Sequence, residues 1–117
     1  MTVWCVHPIK GDLRPAEAYG KIRYVNTRYI YPDDLEEAEY DQKTYFPPQA
    51  VEKLYVQAAQ QFQPNTDYLL IAGDHLQLLM FTGELCAMWS KFKVLRYDRQ
   101  EQGYIAVELN PNTARGA

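Results

Sequence analysis

Asp67-Tyr68-Leu69-Leu70-Ile71-Ala72-Gly73-Asp74-His75 is the stretch on which the fold turns. A short apolar run that ends abruptly in Gly-Asp reads as a buried strand, expected over Asp67 to Ala72, followed by a tight turn. Asp74 then stands where its carboxylate can accept from the first N–H groups of the next helix. The carboxyl ends of buried strands, facing helix N-termini, are where small α/β domains hold ligands.

Toward the C-terminus, residues 74–90 predict a helix of unusual character. Leu76, Leu78, Leu79, Met80, Phe81, Leu85, Cys86, Ala87, Met88 and Trp89 cover nearly its whole circumference, with Glu84 the only carboxylate after the Asp74 cap. A helix apolar all round has to be covered on more than one side. In so small a domain this predicts a homodimer contact through Leu76–Trp89. Gly83 costs about 1 kcal/mol relative to alanine in an exposed helix. It therefore suggests the close approach of another element, or a glycine that is simply tolerated.

Toward the N-terminus, Pro47-Pro48 suits a helix entry, where a missing N–H costs nothing. Val51, Leu54, Tyr55, Ala58, Ala59 and Phe62 follow with helical spacing, while Glu52, Lys53, Gln57, Gln60 and Gln61 face water, and Pro64-Asn65 stops the helix. Earlier still, Thr2 to Ile9 reads as a strand ending near Pro8. Gly11 to Gly20 reads as a connector with a possible helical turn at Pro15. Lys21 to Tyr31 reads as a strand with Ile22, Tyr24, Asn26, Arg28 and Ile30 on one face and Arg23, Val25, Thr27, Tyr29 and Tyr31 on the other. Polar residues on both faces suggest an edge, where Arg23 and Arg28 discourage pairing. The block holding Asp33, Asp34, Glu36, Glu37, Glu39 and Asp41 reads as a solvated acidic loop. Lys91 to Asp98 and Gly103 to Leu109 form a hairpin around Arg99-Gln100-Glu101-Gln102.

The expected fold is thus α/β: one small domain over residues 1–110 and a polar tail over 111–117. It has a mixed sheet of about five strands in the order β-β-α-β-α-β-β, two main helices and a C-terminal β-hairpin. Right-handed crossovers make the middle strands parallel, and the hairpin supplies an antiparallel edge.

At 117 residues, 47% hydrophobic and 14% aromatic, the chain is long enough to bury one core. A formal net charge of −3 argues against a general nucleic-acid binder, which needs a basic face. No apolar run reaches the length of a membrane span, and Lys10, Asp12 and Arg14 interrupt the start before a signal-peptide core forms. A reduced cytoplasmic setting is the expectation, with Cys5 and Cys86 acting as small core residues.

Three groups of residues could carry chemistry. Gly73-Asp74 at a helix start is either an anion site or a plain turn and cap; Asp74 would occupy the donors that a phosphate needs. His7, Asp74 and His75 would meet at one sheet edge if the strands beginning near Val3 and Tyr68 are parallel neighbours, and could then hold a metal or act as acid and base. Arg23, Tyr24, Asn26, Arg28 and Tyr29 combine the residue types of ligand pockets and contact cores, against the plain alternative of a solvated edge strand. No GxGxxG, GxxxxGK[ST] or GxSxG pattern is present, so no cofactor is implied.

The run Phe62-Gln63-Pro64-Asn65-Thr66-Asp67-Tyr68-Leu69-Leu70-Ile71-Ala72-Gly73-Asp74, with the closing Val94-Leu95-Arg96-Tyr97-Asp98-Arg99, resembles a group of short bacteriophage open reading frames. The resemblance covers about residues 21–109, brings no assigned activity and carries no catalytic residue over. It implies an accessory protein in the host cytoplasm that binds a defence protein, its nucleotide signal or the replication machinery. The function expected is non-enzymatic binding of a host protein or a small anionic, nucleotide-like ligand, through Arg23, Tyr24, Arg28 and Tyr29 with Asp74 and His75. The alternatives are a small metal-dependent hydrolase using His7, Asp74 and His75, or a virion-assembly component.

Overall fold

Strands β1 (Thr2–Cys5), β2 (Lys21–Tyr24), β3 (Tyr68–Leu70), β4 (Phe92–Asp98) and β5 (Gly103–Leu109) form one sheet in the order β2-β1-β3-β4-β5. The computed structural model describes residues 1–29 and 48–111. Helices α1 (Arg14–Glu17), α2 (Pro48–Gln61) and α3 (His75–Met88) connect the strands. β1 pairs in parallel with both β2 and β3, β3 pairs in parallel with β4, and β5 closes the sheet antiparallel to β4. The α/β class, the parallel middle and the antiparallel edge are those the sequence predicts.

The layers follow from strand order and chain handedness. The chain steps one way from β1 to β2, then reverses across β1 to β3 and β4. A right-handed crossover puts its helix on opposite faces when the direction reverses. Accordingly Val3, Cys5, Leu70 and Leu95 pack with Ala16 of α1, while Trp4, Val6, Leu69, Phe92 and Val94 pack under α2 and α3. α2 buries Val51, Tyr55, Ala58 and Ala59 as its spacing predicts, with Phe62 just past its end; Leu54, on the flank of that stripe, is exposed.

Asp67 ties down the amino-terminal end of the sheet. Its Oδ1 accepts from Thr2 N–H (3.0 Å) and the Thr66 hydroxyl (3.3 Å), and its Oδ2 accepts from the Trp4 indole N–H (3.0 Å) and Gln63 N–H (2.9 Å). A buried carboxylate is tolerable when its lone pairs are used in this way.

Three strands are shorter than expected. β1 stops at Cys5. β2 stops at Tyr24: Val25 and Asn26 still donate to Cys5 O and Val6 O, but Tyr29 N–H then turns back to Asn26 O at 3.4 Å. The alternation expected as far as Tyr31 holds through Val25, which packs on the Arg23 face, and fails from Asn26 to Tyr29; Ile30, Tyr31 and the acidic block lie outside the described residues. β3 stops at Leu70, which is fully buried, whereas Ile71 is 40% exposed because Ala72 N–H folds back to Leu70 O.

Candidate functional site

In an open α/β sheet the crevice for ligands opens where neighbouring strands send their chains to opposite faces. Here that point lies between β1 and β3. α1 follows β1 on one face and α3 follows β3 on the other, so residues after Cys5 and after Leu70 line the gap. His7 fills it. The ring is fully buried, its Nε2 lies 2.8 Å from Asp74 N, and its Nδ1 lies 2.8 Å from Pro8 O. A backbone N–H can only donate, so Nε2 accepts and the ring proton sits on Nδ1, donating to the carbonyl. Tyr29 lies flat on the same ring, with centroids 3.8 Å apart.

Gly73 makes this closure possible. Its φ of +101° is one that L side chains rarely adopt, and a Cβ there would stand 2.7 Å from Val6 Cγ2 and 2.9 Å from His7 Nε2. Asp74 caps α3 as its position predicts, accepting from Gln77 N–H at 3.1 Å.

Below the cap lies a buried polar cluster. Gln77 Oε1 accepts from Asn26 Nδ2 at 3.3 Å and from the Tyr55 hydroxyl. Gln77 Nε2 is buried and has no hydrogen-bond partner among the described residues. Exchanging the two ends of the amide leaves one of them unpartnered all the same. Burial pushes the Tyr55 hydroxyl well above its ordinary range. Burial likewise pushes the Cys5 thiol up to about 11, partly offset by backbone hydrogen bonds from His7 and Val6, and the thiol itself donates to His7 O at 3.2 Å.

The expected site residues do not form one surface. Tyr29 and Asp74 meet at His7. Arg23 lies 4.7 Å above the Trp4 ring on the α2/α3 face, and Tyr24 packs on the α1 face. Arg28 is exposed in the turn before Tyr29, and His75 is exposed on the first turn of α3. β1 and β3 are the parallel neighbours that the His7–Asp74 meeting required. His7 nevertheless spends both ring nitrogens on the backbone, which leaves neither lone pair for a metal. Among the described residues no three His, Cys, Asp or Glu side chains are grouped to hold one.

Sequence reasoning missed Gln77, Asn26 as its partner, and Tyr55 as more than packing. A signal for Gln77 was available: Asp74-His75-Leu76-Gln77 has capping-box spacing. In the usual box the residue at the Gln77 position reaches back to the cap N–H. Here His7 takes that N–H, which frees the Gln77 amide to turn inward.

A shallow depression of about 130 Å³, lined by Pro64, Asn65, Lys91, Phe92, Lys93 and Glu108, lies at the opposite, amino-terminal end of the parallel strands. It is well below the roughly 300–1,000 Å³ of small-molecule sites. Lys93 is committed there to Asn65 O (3.1 Å) and to the Tyr68 ring (4.6 Å).

The protein family described as Phage Pam3 gp32-like protein matches residues 6–111. The chain belongs to this family. It is therefore a phage-associated protein, and the match spans the switch point, both long helices and the hairpin. No curated protein and no solved structure matches the chain. No helix among the described residues is long and apolar enough to cross a membrane.

Proposed function

We propose that this phage-family protein is an accessory factor of the infected cell's cytoplasm that works by binding rather than by catalysis, with its ligand seated at the β1/β3 switch point. The observation that carries this is the Gln77 amide, buried at the N-terminus of α3 with a donor left unpaired. Such a donor costs about 1–3 kcal/mol. That cost is recovered where an incoming acceptor completes the cluster.

The ligand class that fits is a small nucleotide-like molecule offering an oxygen acceptor to Gln77. The His7–Tyr29 stack supports a planar ring in this place, and exposed Arg28 beside it is a cation available to a phosphate. Entry requires the Asn26–Tyr29 turn to give way, and the long 3.4 Å contact from Tyr29 N–H to Asn26 O is its weak point.

A host protein as the bound partner is favoured by a different observation, the apolar rim of the same edge, where Ile71 is 40% and Leu76 50% exposed. The metal-dependent hydrolase loses support because the His7 nitrogens are already bonded to the backbone.

A thermal-shift panel of nucleoside mono-, di- and triphosphates and cyclic nucleotides tests the small-ligand reading. Ligand at a hundred times its dissociation constant adds about 2.7 kcal/mol, a rise on the order of 10 °C for a domain of this size. The rise should vanish in Gln77→Met and shrink in Arg28→Ala. A flat panel together with specific capture of one host protein, lost in Leu76→Lys, selects the host-protein reading. A flat panel with co-purification of virion proteins alone selects an assembly role.

A further inference from the structure

The two edges of the sheet are built differently. β2 is four residues long and carries Lys21 and Arg23, charges of the kind that keep an exposed edge from pairing. β5 is seven residues long, contains no Lys, Arg or Pro, and shows no bulge in its pairing with β4. Among the described residues one bond reaches β5 backbone from outside that ladder, from the Tyr19 hydroxyl to Tyr104 O at 2.8 Å. Among the described residues nothing bonds the outward-facing N–H and C=O groups between Ile105 and Leu109.

Side chains single out the same stretch. Val107 stands opposite Val94, and Leu109 opposite Phe92, so both lie on the α2/α3 face. They are nevertheless 36% and 37% exposed. The outer face of α3 is apolar as well, with Leu76 50% and Leu79 68% exposed, and a Cβ on Gly83 would meet nothing within 4 Å. Among the described residues no element approaches Gly83, contrary to one of the two expectations its position raised. Trp89 donates to Ala59 O of α2. At 100° per residue the opposite flank of α3, carrying Leu76, Met80, Gly83 and Ala87 with Glu84 its one charge, turns away from α2.

We propose that two copies of this chain pair β5 against β5 in antiparallel fashion about a two-fold axis at Val107, giving one ten-stranded sheet with both α3 helices on the same face. An open strand edge is a template for another extended strand. The apolar flank beside it calls for an apolar surface on the same partner, and a second copy brings both by symmetry. The pairing is complementary in register. Val107 faces its own counterpart, and Ile105 of each copy faces Leu109 of the other. Ala106 faces Glu108, so no like charges meet. The same operation on β2 would crowd Lys21 and Arg23 against their copies. The homodimer that the greasy helix suggested thereby gains a backbone seam, and α3 supplies the flanking contact.

Sedimentation equilibrium of the full chain tests the pairing. The expected result is a mass twice 13.6 kDa at micromolar concentration. Val107→Lys and Val107→Glu each place like charges directly opposite across the axis, and each alone should sediment as a monomer with the native near-UV spectrum. Mixed together they should restore the double mass, because lysine now faces glutamate. Lys21→Glu, at the other edge, should leave the dimer intact. If Val107→Lys fails to fold, Leu109→Lys and Ile105→Glu replace it: each alone sets a charge against an apolar partner and should weaken the dimer, and the mixture, which sets lysine opposite glutamate, should restore it. A wild-type chain that stays at 13.6 kDa up to millimolar concentration overturns the proposal. So does a dimer that survives folded Val107→Lys.

Discussion

The two ends of the parallel strands hold buried polar clusters of opposite completeness. At the amino end, each carboxylate oxygen of Asp67 accepts two hydrogen bonds and the cluster closes on itself. At the carboxyl end, His7, Asp74, Asn26, Tyr55 and Gln77 are linked in the same manner, yet one amide end of Gln77 bonds to nothing among the described residues. A closed cluster fixes geometry and asks for no partner. An open one, equally buried, retains unspent hydrogen-bonding capacity, and it lies where the topology opens the sheet. Burial of polar groups alone therefore does not mark a site; what marks it is the unpaired atom.

Four measurements put that contrast to the test. Asp67→Ala should have the largest effect, because it strands the Trp4 indole N–H and frees Thr2. A loss of roughly 3–4 kcal/mol in urea unfolding is expected, and a loss below 1 would refute a closed, structural cluster. Next comes alkaline pH. Cys5 titrates near 11 in the folded protein against 9.0 as a free thiol. Between those values the unfolded chain has lost a proton that the folded one keeps, so stability is full below pH 9 and falls as pH rises toward 11. The drop approaches about 2–3 kcal/mol, read as a falling urea midpoint. Cys5→Ala should flatten that part of the profile.

Gly73→Ala should cost on the order of 2 kcal/mol through its positive φ and the crowding of His7. It should also shift the His7 ring resonances while leaving those of Trp4 in place. The smallest loss is expected for Gln77→Met, at about 1–2 kcal/mol, since it removes an acceptor and an already unpaired donor together. If it matched Asp67→Ala, the two clusters would be energetically alike and the contrast would fail.

Much of this architecture was legible in the chain. The apolar run at Leu69-Leu70, the spacing of α2, the Asp74 cap and the hairpin each follow from local pattern, and the parallel middle follows from crossover handedness. Strand ends were less legible. Val25 to Tyr29 has the composition of a strand, but the chain leaves the edge of β1 after Asn26, and no local pattern marks that departure. The candidate site was half visible. Asp74, His7 and Tyr29 were named, but Arg23 and Tyr24 point to opposite faces of the sheet. The Gln77 cluster could not be read directly, because it joins residues 26, 55 and 77, whose proximity is a product of the fold. Periodicity reports which side of an element is apolar; it does not report which polar atoms from distant segments share one interior space.

The reach of Asp67 has one more consequence, for a chain emerging from the ribosome. Its carboxylate holds Thr2 and Trp4, 65 and 63 positions earlier, and β1 lies between β2 and β3. The opening strand therefore cannot lock into place while the first sixty residues are being made. It can pair with β2 once Lys21–Tyr24 is made, but its β3-facing edge waits on closure of that longer loop. Until then one edge of β1 is exposed to chaperones and proteases, and synthesis of Tyr68–Leu70 ends that interval.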